Sequence, residues 1–514
     1  MERGKGETAN QQVLNAGKER VLRRFPSFGP QLIEFLERDQ SRVVYAKDWG
    51  GGEAALRVFP SSSISNQFDI SLEIPVLVAE FENLQPRLLR QFDSSVELRG
   101  SASADKDVAV LVATDARAHD LVRDRKRFAF PVLVLETERL ARGEYAKSDL
   151  RTELSRLLRS VDHFDYSNEI TTAADFFGRL DEIEALTRLA VAGQSVGIFG
   201  LRRAGKTSLL YRVRSELRDR GVGSIYVQLN ALLDADALRG EILRGLRELA
   251  VEKGHKQPPR DPRAAVTARE WVYGMDAMLD LIGEQVVIII DEIDLANEDA
   301  AEFEDSEIKQ RQDLNRVLQQ LRGIIQIRND RSEHKLSFLV AGVAMSVFTQ
   351  AIRFGRENQL FGFASARPLK PMTRDEMREM VRTLGKRSGL KFKDYQLFDR
   401  LFAEYGGHPH LTRRACSSIA DTVHSTEKTS VPYLVTSADL DRAFAASGES
   451  SPSAIAYQTF RAFARWYPAE GEVIEQIVAT GQPCTDRGAI NHAIDFGLCT
   501  EVGSLRVRAL ARRE

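Results

Sequence analysis

The chain has 514 residues and a formal net charge of only −2. At about 100–200 residues per domain, this length predicts roughly three or four domains, and the near-zero charge gives no global positive field for nucleic acid or an anionic membrane. The three cysteines, Cys416, Cys484 and Cys499, form no CxxC pair, which argues against a disulfide scaffold and fits a reducing compartment. The polar start and the lack of a run of about 18 apolar residues exclude a signal peptide and a membrane helix. We therefore expect a cytoplasmic protein.

The first part of the chain predicts a polar N-terminal segment, 1–27, and a small α/β domain of unknown role, 28–147. Apolar runs predict strands, and the more polar stretches between them predict helices. The predicted strands cover residues 43–46, 55–59, 70–80, 108–113 and 130–136, and the predicted helices cover 83–92 and 116–127. This alternation predicts a partly parallel sheet, with a hairpin turn at the glycines of 50–52.

Residues 148–174 predict a helical connector, with Ser148 as the candidate helix cap. The region 175–370 has the strand–helix alternation of a nucleotide-binding core, with strands at 196–199, 225–228, 286–290 and 336–341. Residues 371–448 predict a helical lid. Residues 453–514 predict three helices and a short hairpin, which is the element order of a winged helix.

The segment SVGIFGLRRAGKTSLL contains a glycine, four residues, and then Gly205, Lys206 and Thr207. Gly200 lets the chain turn sharply after a strand, and Gly205 lets backbone N–H groups approach phosphate oxygens. The lysine supplies a positive charge for the phosphates, and the threonine hydroxyl is a hard ligand for Mg²⁺. The loop and its helix start also contribute Arg202, Arg203, Ala204 and Ser208. The pattern predicts a phosphate-binding loop for ATP or ADP.

A second motif, QVVIIIDEID, places Asp291 and Glu292 after an apolar strand. Ligand sites of open α/β sheets lie at such carboxyl ends. We expect Asp291 to share Mg²⁺ with Thr207, and Glu292 to orient and polarise an attacking water. Two acids after a strand can also be a solvated strand end, but the phosphate-loop lysine earlier in the chain favours the paired interpretation.

Phosphoryl transfer also uses positive charge on the transferred group, often from an arginine finger. The candidates are Arg353 and Arg356, in AIRFGREN, and Arg367, in SARPLKP. Nothing in the sequence distinguishes these candidates from ordinary surface arginines. Arg202 and Arg203 are further candidates to reach the nucleotide or a neighbouring domain.

Four segments in order, FFGRLDEIEAL, GLRRAGKTSLL, VVIIIDEID and YGGHPHLTRRA, resemble the STAND-class P-loop ATPases and their bacterial and archaeal AAA-type relatives. The resemblance spans about 175–510. It implies an AAA-like parallel-sheet core with a helical lid and a winged helix, binding ATP or ADP with Mg²⁺. It further implies that Gly178 and Arg179 lie near the adenine, and that Pro409 packs on the base.

Two departures from the family pattern favour slow, switch-like hydrolysis. The fourth strand ends in AGVAMS, where a polar sensor is common, and Ser346 is the nearest hydroxyl. The lid arginine has no clean match, with Arg413 and Arg414 the nearest candidates.

Three functions stay open at this point. The first is an ATP-hydrolysing switch in bacterial signalling or defence, acting with a protein partner or as a homo-oligomer. The second is a DNA-associated AAA-type ATPase resembling replication initiators, with DNA read by the third helix of 453–514. Seven arginines and seven acids balance in that segment, so we favour an intramolecular latch over DNA reading. The third is a nucleotide-stabilised scaffold without turnover. None of the three needs a membrane.

Overall fold

The computed structural model describes residues 2–511 except 86–87, 89–91, 93–94, 124–127, 129, 166–168, 232–233, 256–267, 298–304, 332–333 and 427–429. The chain divides into two compact units. The first comprises Met1–Tyr166, Arg378–Phe398 and Arg413–Ala443, and the second comprises Ser167–Met377, Asp399–Thr412 and Phe444–Glu514. The region predicted as a lid, 371–448, is thus divided between the two units, and the domain boundaries drawn from the sequence stay a prediction.

The first unit contains a five-stranded sheet in which the strands follow one another in chain order. Its strands are β1 (Arg42–Gly50), β2 (Glu53–Phe59), β3 (Ile74–Ala79), β4 (Ala109–Ala113) and β5 (Val132–Glu136). The pairs β1–β2 and β2–β3 are antiparallel, whereas β3–β4 and β4–β5 are parallel. Every residue of β3 and β4 is buried, as expected for apolar strands covered on both faces. The predicted partly parallel sheet is confirmed.

Six helices precede residue 166 in the described part of the chain. They are α1 (Glu2–Arg24), α2 (Gly29–Glu37), α3 (Ser62–Phe68), α4 (Ala118–Arg123), α5 (Thr137–Ala141) and α6 (Leu150–Arg159). The helix predicted at 83–92, and the end of the one predicted at 116–127, lie partly outside the described residues. Asp149, not Ser148, caps α6, because its carboxylate accepts the Thr152 N–H.

The second unit is built on a parallel five-stranded sheet. The strands of residues 196–368 are β6 (Val196–Phe199), β7 (Gly223–Gln228), β8 (Val286–Asp291), β9 (Leu336–Gly342), β10 (Ile352–Arg353), β11 (Arg356–Glu357) and β12 (Ser365–Pro368). The order in the sheet is β12–β6–β9–β8–β7. The sequence predicted β6 to β9 and missed β12. That strand carries an arginine and a proline and alternates between exposed and half-buried residues, as an edge strand does.

Thirteen further helices lie in the described residues after 166. They are α7 (Leu180–Val191), α8 (Lys206–Asp219), α9 (Ala235–Glu252), α10 (Ala268–Ile282), α11 (Asp305–Arg331), α12 (Ser346–Thr349), α13 (Arg374–Arg387), α14 (Tyr395–Tyr405), α15 (Pro409–Ser425), α16 (Ser437–Phe444), α17 (Pro452–Trp466), α18 (Pro468–Thr480) and α19 (Asn491–Asp495). A short parallel pair joins β13 (Leu390–Lys391) to β14 (Tyr433–Leu434). Among the described helices, none is long and apolar enough to cross a membrane.

The C-terminal segment forms the three predicted helical elements, α17, α18 and α19. The predicted hairpin is reduced to a single antiparallel bridge between Cys499 and Leu505. The LRVRAL end forms a 3₁₀ turn over Arg508–Ala511 in place of a strand. Two backbone hydrogen bonds flank this bridge, from the Arg506 N–H to the Leu498 carbonyl (2.8 Å) and from the Thr500 N–H to the Ser504 carbonyl (2.8 Å), so residues 498–506 form a short hairpin. The winged-helix assignment stays a prediction, and Arg512 and Arg513 lie outside the described residues.

Candidate active site

The carboxyl ends of the parallel strands of the second unit meet at one edge of its sheet, and the loop 200–205 lies there between β6 and α8. The Gly200 N–H donates to the Gly342 carbonyl at the end of β9 (3.1 Å). Gly205 has φ +94°, and a Cβ built on it would lie 2.9 Å from Arg179 Nη1. The backbone angle therefore favours glycine at this position, and a Cβ would also displace the Arg179 guanidinium.

Lys206 begins α8, and its ammonium group is held by the loop itself. Nζ donates to the carbonyl oxygens of Gly200 and Leu201, each at 3.0 Å. Burial lowers the pKa of Lys206. The nearby carboxylate of Asp294 opposes that shift most strongly, followed by those of Glu292 and Asp291. The lysine is thus a positive charge whose present acceptors are neutral carbonyls that a phosphate oxygen can replace.

Asp291, the last residue of β8, is buried and accepts three hydrogen bonds. Thr207 Oγ1 and Tyr226 Oη both donate to its Oδ2, at 2.6 and 2.9 Å. The Glu292 N–H donates to its Oδ1 (2.9 Å). The structure therefore brings the two predicted metal ligands, Thr207 and Asp291, into direct contact.

The donor set of Thr207 and Asp291 fits Mg²⁺, because a hydroxyl and a carboxylate are hard oxygen ligands. Mg²⁺ binds through one or two carboxylates together with substrate phosphates and water, so a dedicated cage of protein ligands is not required. Tyr226 is a site residue that the sequence analysis missed. Its only signal was a tyrosine near the end of a strand, and burial next to Asp291 raises its pKa.

Glu292 follows Asp291 in the left-handed backbone region, with φ +59°. It is half-buried and lines a cleft of about 900 Å³. The cleft also contacts Arg202, Asp294, Arg311 and residues of α17 and α18. The carboxylate of Glu292 therefore lies next to open space that a water molecule can enter, beside the candidate metal ligands.

Asp294 is a second residue that the sequence analysis missed. Its carboxylate accepts the Val343 N–H at 2.7 and 2.9 Å and the Ala344 N–H at 2.8 Å. Burial raises its pKa to about 6, although these N–H groups and Lys206 pull the pKa down. In the sequence, the only sign of this residue was that it is the third acid of the DEID segment. In the structure, the Asp294 carboxylate connects the turn after β8 to the end of β9.

Gly178 and Arg179 lie against the phosphate loop and the start of α13. The Arg179 N–H donates to Glu376 Oε1 (2.6 Å), and a Cβ on Gly178 would collide with that same oxygen. The Arg179 side chain is buried, donates to the Lys370 carbonyl (3.4 Å), and has a pKa lowered to about 10 by burial. Glu376, which holds this turn, was not found from the sequence.

The GGHP segment and the residue after it contact the phosphate loop through two histidines. His408 Nε2 donates to the Arg202 carbonyl (3.2 Å), and Arg203 Nη1 donates to His410 Nε2 (2.9 Å). Burial lowers the pKa of His408 to about 4, so its imidazole is neutral at pH 7. Pro409 is the first residue of α15, and its packing on a base stays a prediction.

The arginine-finger candidates differ in how far they can reach. Arg353 is buried at 3% exposure and donates to the Ala296 carbonyl (3.2 Å) and to Asn297 Oδ1. A residue held in this way inside its own fold is poorly placed to act on another molecule. Arg356 is exposed at the turn of the β10–β11 hairpin. The geometry therefore favours Arg356 over Arg353.

The other candidates have local partners. The Ser208 hydroxyl accepts the Ile170 N–H (2.9 Å), so that side chain is used within the fold. Ser346 accepts from the Asn297 side chain (2.8 Å). Arg413 is buried, and Arg414 pairs with Asp165 (3.3 Å) in the first unit.

Comparison with known proteins supports the class of the core. Residues 192–347 match the family model described as an AAA domain. A search of curated proteins found no match. The parallel sheet and the phosphate loop after β6 define the core of the second unit as a P-loop NTPase fold, and residues 192–347 of this core are similar to AAA domains.

Similar solved structures include the Walker-type ATPase PABY2304 of Pyrococcus abyssi, at 13% identity and TM-score 0.46, covering 68% of this chain and 99% of that one. The ORC1 protein of Aeropyrum pernix in complex with DNA is 15% identical with TM-score 0.34, covering 66% and 80%. The Thermotoga maritima RuvB Holliday junction branch migration motor is 12% identical with TM-score 0.30, covering 63% and 84%. Similarities at this level do not bear on what this chain acts upon.

Proposed function

We propose that the second unit binds ATP and hydrolyses it to ADP and phosphate. The observation that supports this best is the contact between Thr207, at the start of α8, and Asp291, at the end of β8, with Glu292 next in the chain. Phosphoryl transfer needs mainly positioning and electrostatic stabilisation from the protein. The second unit offers both at one edge of its sheet.

The phosphates of ATP would bind at the start of α8. The first N–H groups of a helix have no acceptor within it and point towards an anion at its end. Lys206 would exchange its two neutral carbonyl acceptors for phosphate oxygens, which are stronger charged acceptors. Thr207 and Asp291 would hold Mg²⁺, which neutralises charge on the phosphates when bound.

Glu292 would orient the attacking water. Its left-handed backbone turns it away from the strand and into the cleft, while Asp291 stays buried. A positioned carboxylate of this kind typically contributes about 10²–10⁴-fold to the rate. The two neighbouring acids therefore take separate roles, one on the metal and one on the water.

Two substitutions test this assignment. Lys206→Ala should abolish nucleotide binding, whereas Glu292→Gln should keep ATP binding and lower turnover by roughly 10²–10⁴-fold. The matched control is Glu248→Gln, an exposed glutamate paired with Arg244 on α9. Binding is measured by calorimetry and turnover by phosphate release. Turnover of Glu292→Gln at the wild-type rate would show that Glu292 is not the water-orienting group.

Two biological roles would use this activity. One is a nucleotide-controlled switch, acting with a protein partner or as a homo-oligomer. The contacts of His408 and His410 with the phosphate loop support it, because the start of α15 would respond to occupancy of the loop. The other is a DNA-associated ATPase of the kind that the ORC1 and RuvB names describe. The matches reported above name no STAND protein, so we propose the DNA role on an equal footing.

Two measurements separate these roles. Stoichiometric ADP released from freshly purified, denatured protein would support a switch that rests in a closed state. Binding of labelled duplex DNA at low salt, weakening steeply as salt is added, would support the DNA role. Bound nucleotide without any turnover would point instead to a scaffold, whose stability follows nucleotide occupancy.

A further inference from the structure

The last residues of β9 and the turn after it, 342–345, form a junction on which three parts of the second unit meet. The Gly342 carbonyl accepts from the Gly200 N–H of the phosphate loop. The Val343 and Ala344 N–H groups donate to Asp294, two residues after Glu292. The packing is tight, since a Cβ on Gly342 would lie 2.9 Å from Asp294 Oδ1. A shift of this junction would therefore move both the phosphate loop and the acidic turn.

The third contact comes from Tyr467, the residue between α17 and α18. Its hydroxyl donates to the Val343 carbonyl (3.2 Å) and accepts the Met345 N–H (3.0 Å). Among residues 343–345, Asp294 thus accepts the first two N–H groups, and Tyr467 contacts the first carbonyl and the third N–H. Together they satisfy the backbone of the junction on two sides.

The ring of Tyr467 is fixed by the C-terminal segment. It stacks on Phe463 (4.9 Å, 27°) and on His492 (4.4 Å, 26°), with Phe496 edge-on at 5.8 Å. His492 is in turn held by Glu470, which accepts its N–H (2.8 Å) and contacts its Nδ1 (3.0 Å). The aromatic cluster therefore sets where the hydroxyl lies, and the hydroxyl sets where the junction lies.

We propose that Tyr467 is a positioning residue for ATP hydrolysis, which couples the C-terminal helices to the acidic turn that carries Glu292. This inference rests on the proposed ATPase function. Tyr467 contacts neither the phosphate loop nor Glu292 directly, so it acts through residues 343–345 and Asp294. Its loss should disturb the alignment of the attacking water more than the binding of the nucleotide.

The test is Tyr467→Phe, which removes the hydroxyl and keeps the stacked ring. We expect kcat to fall about tenfold, equal to about 1.4 kcal/mol of activation free energy, with KM for ATP and ADP affinity within about twofold of wild type. Exchange of the Met345 amide hydrogen should become faster, because that N–H loses its acceptor. A purely structural role would not separate kcat from KM.

The matched control is Tyr457→Phe on α17, the helix that ends just before Tyr467. The Tyr457 hydroxyl accepts from exposed Arg461 (3.3 Å) on the same helix α17, so turnover and the Met345 amide should match wild type. As a second variant, 4-aminophenylalanine at position 467 keeps a donor for the Val343 carbonyl and should restore most of kcat.

The turnover of the wild-type protein distinguishes a failure of the proposed ATPase function from a failure of the proposed role of Tyr467. If the wild-type protein does not turn over ATP, the proposed function fails and takes this inference with it. If the wild-type protein is active and Tyr467→Phe has an equal or higher kcat, only the coupling is refuted. A loss of ATP affinity as large as the loss of kcat would also refute it, because Tyr467 would then support the site as a whole.

Discussion

Asp294→Asn tests the charge state of the acidic turn. In the folded protein the pKa of Asp294 is about 6, against an ordinary value of 3.8. The folded state therefore holds the proton more tightly than the unfolded state does. The Asp294 contribution to stability is complete below about pH 4 and is lost as pH rises through 6. A shift of about two pKa units is equivalent to about 3 kcal/mol at neutral pH.

The neutral asparagine removes this pH dependence. We expect Asp294→Asn to unfold at a temperature close to that of wild type near pH 4.5, and at a higher temperature near pH 7.5. For a unit of this size the difference should be on the order of 5 °C. The carbonyl of asparagine can still accept the Val343 and Ala344 N–H groups, although the contacts lose the assistance of charge. The variant should also lose turnover, because those contacts position the junction.

The assay is differential scanning calorimetry of nucleotide-free protein between pH 4.5 and 8. Lys206→Ala is an informative partner, because it removes the cation that pulls the Asp294 pKa down. In that background the loss of stability should still begin near pH 4 but should extend to a higher pH, because only the folded-state pKa of Asp294 rises. Parallel melting curves for wild type and Asp294→Asn across the whole range would refute the claim that Asp294 titrates near pH 6.

Three further outcomes follow from the site. Gly205→Ala should lower ATP affinity by more than 100-fold, because φ is +94° and the Arg179 guanidinium lies where the Cβ would be. The control Gly221→Ala, where φ is also positive but the surrounding space is open, should lower only the melting temperature, and calorimetric titration of ATP compares the two variants. Tyr226→Phe removes a donor from Asp291 and should shift the Mg²⁺ dependence of turnover by about fivefold, as the loss of about 1 kcal/mol predicts; an unchanged Mg²⁺ titration would contradict it. Glu376→Ala should weaken ATP binding about tenfold by releasing the turn at 178–179, and Glu376→Gln should weaken it less. If Glu376→Ala and the wild-type protein bind ATP with equal affinity in a titration, Glu376 does not hold this turn for nucleotide binding.

The sequence predicted the parts of the site that are local in the chain. The phosphate loop and the DE pair depend on an apolar strand followed by a turn, and both patterns are contained in about ten residues. Tyr226, Asp294 and Glu376 act through contacts with residues far away in sequence. Glu376, for example, lies 197 residues from its partner Arg179. No local pattern encodes such a pairing, so these three residues emerged only from the structure.

The strands also show that local sequence patterns predict buried core elements better than elements that depend on a distant pairing partner. The core strand β8 is fully buried and consists of valine and isoleucine up to its final aspartate, which made it easy to predict. The edge strand β12 reads Ser-Ala-Arg-Pro and exists because β6 offers it a pairing partner. The predicted C-terminal hairpin forms only over residues 498–506, around one antiparallel bridge. The alternating LRVRAL pattern is typical of a strand, yet Arg508–Ala511 form a 3₁₀ turn.

The two polar side chains of the site that would bind phosphate and Mg²⁺ already have hydrogen-bond partners within the fold. Lys206 donates to two loop carbonyls, and Thr207 donates to Asp291. A nucleotide must break these bonds before it makes its own, so the number of hydrogen bonds changes little on binding. The gain comes from replacing neutral acceptors with charged phosphate oxygens, which form stronger bonds. Loss of the γ-phosphate removes part of that charge, and the loop can then return to its own carbonyls. In the proposed function, such an exchange would let ATP and ADP favour different positions of the loop that also contacts His408 and Gly342.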